Sequence, residues 1–365
     1  MQTKTALDKL ISRVIEQSNG WLEFDRFMAL ALYAPNLGYY SSKLQPIGLM
    51  PSKGSDFVTA PQMSPYFSKT LANSVSEALR VSQTDFVWEF GAGTGQMAHD
   101  LLTTLGDQVA QYCIVELSSH LREVQAQKLE PFKNKLVWLD QLPEKFSGVV
   151  LGNEVLDAMP VKLIKRESGV WFEVGVAATH DPDAIRYDWV KHPTEWRPPV
   201  QIPGDHDYLT EIHPQAQAFI KTLADRLQRG VVFLVDYGFP QSEYYHEQRS
   251  GGTLMCHQRH VADANPLIDV GQKDITAHVD FTAIALTAQE AGMNVLGYTS
   301  QAHFLINTGL LDLLQAASPV ERAMAQKLIT EHEMGELFKV VALGAGVSND
   351  WEPLGFQLGD RSHKL

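Results

Sequence analysis

The run Glu89-Phe90-Gly91-Ala92-Gly93-Thr94-Gly95 constrains this chain more than any other feature. It follows the β-rich residues Phe86-Val87-Trp88 and precedes a helical pattern over 96–105. A strand that ends in clustered glycines and leads into a helix is where open α/β sheets bind nucleotides. Glycine lets the backbone approach a ligand closely, and a helix N-terminus offers N–H groups without intrahelical partners. Gln96 stands where a dinucleotide fingerprint would carry its third glycine, and no Lys-Ser or Lys-Thr follows as in a Walker phosphate loop. Glu89 suits the cationic end of a ligand, such as the ammonium of a methionine moiety, and suits a pyrophosphate poorly.

Strand and helix alternate from there. Residues 112–116, 135–139, 148–151, 231–236, 294–298 and 337–342 read as further strands, with helical patterns at 119–129, 214–228 and 281–291 between them. This predicts an α/β fold with a mainly parallel sheet of about seven strands. Ahead of it, 6–17, 24–32 and 64–79 carry helical spacing, separated by loops at 33–40 and 54–61. The expected organisation is a helical N-terminal cap over 1–80, a core over 81–346 and a tail over 347–365. Insertions interrupt the core at 161–210, 241–280 and 300–334. The first reads as a hairpin at 161–174 followed by a Pro-rich loop, and the third as helical.

The strand after the glycine loop ends in Glu116, whose carboxylate can accept hydrogen bonds from both hydroxyls of a ribose or cap the helix that follows at Ser118-Ser119. Asp140, past the third strand, stands where an acid would contact an adenine, or serves as a turn residue. The fourth strand ends in Gly152-Asn153-Glu154-Val155-Leu156-Asp157-Ala158-Met159-Pro160-Val161, at the same sheet edge. Glu154 and Asp157 are candidates to hold a cationic substrate. Asn153 is a candidate cofactor contact, or with Asp157 satisfies loop backbone groups.

These blocks belong to a longer series. Leu32-Tyr33-Ala34-Pro35-Asn36-Leu37-Gly38-Tyr39-Tyr40 and Asp56-Phe57-Val58-Thr59-Ala60-Pro61 precede the glycine loop. Asp236-Tyr237-Gly238, Gly252-Thr253-Leu254 and Asp274-Ile275-Thr276-Ala277-His278-Val279-Asp280-Phe281 follow it. In this order they resemble the MidA-type class I methyltransferases, a family that includes the mitochondrial complex I assembly arginine methyltransferase and many bacterial relatives. The resemblance covers most of the chain. It implies a Rossmann-like, seven-stranded class I methyltransferase fold, S-adenosyl-L-methionine as the donor, and arginine on a protein as the best-known acceptor. Under that reading Glu89, Gly91, Gly93, Gly95, Glu116, Asp140 and Asn153 hold the cofactor, with Thr59 and Pro61 over it as part of the cap. An arginine acceptor is protonated at neutral pH and needs acids to clamp it. Glu154, Asp157 and Asp280 are the candidates, with His278 as a proton acceptor or a structural histidine. His257 departs from the family, whose members often carry an aromatic residue there.

Thirty basic against 43 acidic residues leave a net charge of −13, which gives no general attraction to nucleic acid or anionic membrane and suits a basic protein partner. No apolar run approaches a membrane span of roughly 18 to 20 residues. The N-terminus lacks a signal-peptide stretch, Asp8 and Glu16 argue against a mitochondrial presequence, and Cys113 and Cys256 make no disulfide framework. A cytoplasmic location is expected. His257 and His260 lack further ligands at metal spacing, so no metal is expected. Three functions remain open: a methyltransferase on protein arginine, a small-molecule methyltransferase, and an assembly factor that keeps the cofactor pocket. Oligomeric state is not legible.

Overall fold

The computed structural model describes residues 5–42, 58–180, 184–348 and 350–365. The first four residues of the predicted loop at 54–61, with Asp56 and Phe57 of the family resemblance, lie outside the described residues, and its last two open the short helix Ala60–Met63.

Short apolar runs, mostly buried on both faces, build the central sheet. Its path runs Asn294–Ser300, Phe338–Ala345, Leu227–Phe239, Phe146–Asn153, Phe86–Phe90, Gln111–Val115, Leu136–Leu139. Phe338–Ala345 is antiparallel to both neighbours, and the other pairings along the path are parallel. The two-residue strand Val279–Asp280 adds an eighth member beside Gly238 and Phe239. The sheet therefore holds eight strands where seven were expected, seven of them on the continuous path. Strand order reverses between Phe86–Phe90 and Phe146–Asn153, which opens a crevice at the strand carboxyl ends.

Pleating sends alternate residues to opposite faces. Val87, Ile114, Val149 and Leu151 pack with the helices Pro65–Ser82 and Gln96–Leu105. Trp88, Cys113 and Val150 pack with Pro214–Arg226 and Phe281–Glu290. The 300–334 segment is helical, and Phe304, Leu305 and Leu310 anchor it in the first of these layers.

The N-terminal section divides between two bodies of core. Pro65–Ser82 belongs to the central sheet, whereas Ala6–Gln17 and Phe24–Tyr33 lie on a second, five-stranded antiparallel sheet. That sheet joins Leu22–Glu23, Val170–His180, Lys162–Glu167 and Tyr208–Ile212, with Ile185–Pro193 paired to Val170–His180. Ile185–Pro193 and Tyr208–Ile212 extend the predicted hairpin into a sheet. The first of them carries Arg186, Asp188 and Lys191, so its apolar period is weak. The 241–280 segment contains a small antiparallel sheet of Met255–Gln258, Val261–Asp263 and Asp274–Thr276.

The tail is docked. The Leu354 N–H donates to Glu77 at 2.8 Å, the Arg361 N–H to the Tyr298 carbonyl at 2.6 Å, and Phe356 enters the core. Among the described residues no helix is long and apolar enough to cross a membrane.

Candidate active site

A cavity of about 930 Å³ opens in the crevice. The strand-end loops form one side of its lining. Tyr33, Tyr40, Thr59, Pro61 and Gln62 come from the N-terminal section, and Arg249, Thr253, Asp274 and His278 from the 241–280 segment.

The glycine loop builds one half. Gly91, Gly93 and Gly95 have φ of 64°, 51° and 78°, the left-handed region that an L side chain rarely adopts. A Cβ on Gly91 would stand 2.9 Å from Val155 Cγ2. Gly95 donates to the Ala92 carbonyl at 2.7 Å and serves as the N-cap of Gln96–Leu105. Glu89 is buried and receives the Tyr112 hydroxyl at 2.6 Å. Burial, working against that hydrogen bond, pushes its carboxyl up to about 7. Among the described residues no ion pair involves Glu89.

Glu116 accepts the Ser118 N–H at 2.8 Å on one oxygen and the Gln125 amide at 3.2 Å on the other. It therefore holds the turn into the following helix, whose N-cap is Ser118, and also lines the cavity. The Gln125 amide donates to the Gly93 carbonyl at 2.9 Å as well, tying the glycine loop to the next strand end. Gln125 lies within a helix in sequence and gave no signal of this contact. Asp140 is at the rim, with its side chain 80% exposed and paired to Arg122.

The other half is acidic. Glu154 sits at φ 54°, its N–H held by the Val235 carbonyl at 2.9 Å and its carboxylate reached by the Asn153 amide at 3.0 Å. Burial first, and Asp157 second, push Glu154 up to about 8. Asp157 is buried and raised by that burial, against hydrogen bonding from Tyr237. Among the described residues its Oδ1, the Asn153 Oδ1, the Gln62 Oε1 and the His278 Nδ1 are buried without a hydrogen-bond partner. Asp236 holds the turn from beneath: its Oδ2 accepts the N–H groups of Val155, Leu156 and Asp157 at 3.1, 2.9 and 3.3 Å. Tyr40 donates to Asp274 at 2.8 Å and stacks on Tyr33, whose hydroxyl donates to the Ala158 carbonyl at 2.8 Å. Tyr39 is packed in the second core. His278 lies between the rings of Tyr237 and Phe239, and burial pushes its imidazole down to about 4, so the ring is neutral near pH 7.

The cavity brings together Glu89, Gly91, Gly93, Glu116, Asp140, Asn153, Glu154, Asp157, His278, Thr59 and Pro61. Gly95 shapes the turn without lining the cavity. Asp280 is a correction. It does not line the cavity, and its carboxylate accepts the Ala283 N–H at 3.1 Å as the N-cap of Phe281–Glu290. One of its oxygens is thereby committed to a helix N-terminus. Sequence reasoning passed over Gln62, Tyr33, Arg249 and Asp274 as lining groups. Three of these stand inside or next to the family blocks, which could have pointed to them. His257 lines the cavity from Met255–Gln258, and among the described residues no group of three or more His, Cys, Asp or Glu could hold a metal.

A family described as "Putative S-adenosyl-L-methionine-dependent methyltransferase" matches residues 70–299. The chain is 27% identical over 364 residues to the mitochondrial protein arginine methyltransferase NDUFAF7 homologue of Caenorhabditis elegans, covering 89% of this chain and 83% of the relative. The corresponding protein of Drosophila melanogaster is 27% identical over 379 residues, covering 90% and 83%. A Burkholderia thailandensis protein crystallised with S-adenosyl-homocysteine superposes with a TM-score of 0.92 at 45% identity, over 99% of this chain and 96% of that one. A native structure from the same organism gives 0.88 at 44%, with the same coverage.

The donor is therefore S-adenosyl-L-methionine, and the residues present fit it. A Cβ at Gly91 would crowd Val155, Glu89 is a buried acid without an ion-pair partner among the described residues, and Glu116 is a second carboxylate at the next strand end. With this fold and this cofactor, the chain belongs to the MidA-type family of S-adenosyl-L-methionine-dependent methyltransferases.

Proposed function

We propose that the chain methylates arginine side chains of a protein. One observation carries this reading: Glu154 and Asp157 face the cavity, and among the described residues neither forms an ion pair. Buried acids pushed above their ordinary range are costly to ionise unless a cation arrives. A guanidinium is a permanent cation whose planar fork matches carboxylates. The names of the curated relatives support the same acceptor.

S-adenosyl-L-methionine supplies a methyl group on a sulfonium centre. The residues of this chain bind and orient. Glu89 takes the ammonium of the methionine moiety, Glu116 the ribose hydroxyls, and Asp140 stands on the adenine side. Asn153, Thr59 and Pro61 close over the cofactor, the last two from a segment that acts as a cap. Glu154 and Asp157 hold the guanidinium so that one nitrogen faces the methyl group, and orientation of this kind supplies most of the rate. The guanidinium nitrogen gives up one proton, which Glu154, Asp157 or the neutral His278 can accept.

The test is incubation of the purified protein with radiolabelled S-adenosyl-L-methionine and a cell lysate, followed by peptide mapping. Label on protein arginine is the expected result. Label confined to small molecules, or to residues other than arginine, overturns the reading.

A further inference from the structure

Among the described residues the acidic cavity is lined by one permanent cation that the reading above does not use. Arg249 lines it from the turn after the short helix Gln241–Tyr244. The turn is built: the Arg249 N–H donates to the His246 carbonyl at 2.9 Å, and the Gly252 N–H returns to the Arg249 carbonyl at 3.4 Å. The guanidinium lies 3.9 Å from the centroid of the Phe239 ring. Phe239 is itself fixed against His278, with ring centroids 5.2 Å apart. A flat cation stacked on a flat ring loses rotamer freedom while keeping its in-plane N–H donors available.

Those donors have no protein acceptor among the described residues. Among the described residues Arg249 makes no ion pair, and its guanidinium makes no hydrogen bond, although acids outnumber bases by 13 in the chain. The other cations near it are engaged. Lys339, 6.0 Å from the same ring, is held by Glu336. Arg166, over the nearby Tyr208 ring, donates to the carbonyls of Ile202, Pro203 and His206. Arg249 alone of the three is left pointing its charge at the cavity.

We infer that Arg249 is a specificity-determining residue that receives a carboxylate of the methyl acceptor, an Asp or Glu flanking the target arginine in the bound peptide. The inference rests on the proposed function and adds to it. The acids Glu154 and Asp157 take the arginine, and Arg249 takes an acidic neighbour. The preferred sequence therefore carries both signs.

The lysate labelling above reads the protein-arginine assignment alone. A second experiment reads Arg249. Synthetic peptides with one fixed arginine, and Asp, Glu, Ala or Lys at each flanking position in turn, are labelled with radiolabelled S-adenosyl-L-methionine. The quantity compared is the ratio of kcat/KM between acidic and Ala peptides within one enzyme. A charge-assisted hydrogen bond predicts a ratio of about tenfold at one flanking position. The ratio falls to near one in Arg249→Gln, survives in part in Arg249→Lys, and turns in favour of the Lys peptide in Arg249→Glu. Partial misfolding lowers kcat/KM for all peptides by the same factor and cancels from the ratio, which then reports only the folded fraction of each variant. Protein arginine labelled in lysate with no acidic preference in peptides overturns the inference and leaves the function standing. So does an acidic preference that persists in Arg249→Gln. Absence of label on protein arginine in lysate overturns both.

Discussion

Asp236 accepts the backbone N–H of Leu156 at 2.9 Å across 80 positions of sequence, and the same oxygen takes the N–H groups on either side of it. The turn that carries Glu154 and Asp157 is thus shaped by the next strand of the sheet. Burial and the neighbouring Asp157 and Glu154 push the Asp236 carboxyl up, and its backbone donors pull against them. Asp236→Ala leaves three N–H groups, those of Leu156 and Asp157 buried, without their acceptor. The expected loss is roughly 3 kcal/mol of stability in urea unfolding, with a smaller loss in Asp236→Asn. Turnover should suffer more than affinity for S-adenosyl-homocysteine, because the acids on the turn move while the glycine loop stays.

Gly91→Val tests the floor of the cofactor site. A β-branched residue at φ 64° costs roughly 1–2 kcal/mol in backbone strain, and its Cβ would meet Val155 at 2.9 Å. Calorimetric titration with S-adenosyl-homocysteine should show binding weakened by at least about tenfold. Unchanged affinity would place the cofactor elsewhere.

Two buried acids should make the stability of the ligand-free protein fall as pH rises from about 6.5 to about 8, the part of their range that no histidine offsets. Glu154 moves from 4.5 in the unfolded chain to about 8 in the folded one, and Glu89 from 4.5 to about 7. Across that window the folded state binds more protons than the unfolded state, so each unit of pH favours unfolding. The contribution is complete below 4.5 and gone above the folded values. His278 and His213, both lowered to about 4, act in the opposite sense between about 4 and 6.5. The clean measurement is therefore a difference. The slope of Tm against pH between about 6.5 and about 8 should flatten in Glu154→Gln, and a slope equal to that of the parent protein would contradict the burial of this acid.

Local features were legible in the sequence and distant ones were not. Glu89, the three glycines and Glu116 occupy strand ends, where chain order and sheet order agree, so spacing alone put them in one place. The Asp236 contact with Leu156 joins two strand ends far apart in sequence, and periodicity carries no information about it. Ile185–Pro193 was missed because its exposed face interrupts the apolar alternation with charge. Asp280 failed for another reason: it directly precedes a helix whose start was read correctly, and Asp in that position is an N-cap before it is anything else. The acceptor role rests on the need for acids around an arginine, and the local capping signal outweighs it. The 300–334 helices were visible as helices, while the anchoring of Phe304 and Leu305 beneath the central sheet became clear only from the packing.

The last prediction separates the acids from the imidazole as the titrating groups of the reaction. His278 is held down to about 4 by burial first and then by the charges of Arg249 and Lys339, so it is already neutral throughout the range in which the enzyme is assayed. Glu154 is held up to about 8, and Asp157 is raised in the same direction. A protonated arginine is clamped by ionised carboxyls, so kcat/KM for the labelled acceptor should rise with pH across the region below about 8. The corresponding limb in kcat should lie at lower pH, because the bound guanidinium stabilises the ionised acids. Glu154→Gln should remove the upper part of the limb in kcat/KM as well as lowering its plateau. His278→Gln should lower the plateau and leave the position of the limb unchanged, since a ring that is neutral at both ends of the range contributes no titration to it. A limb that shifts in His278→Gln and not in Glu154→Gln would reverse the assignment and make the imidazole the group whose proton matters.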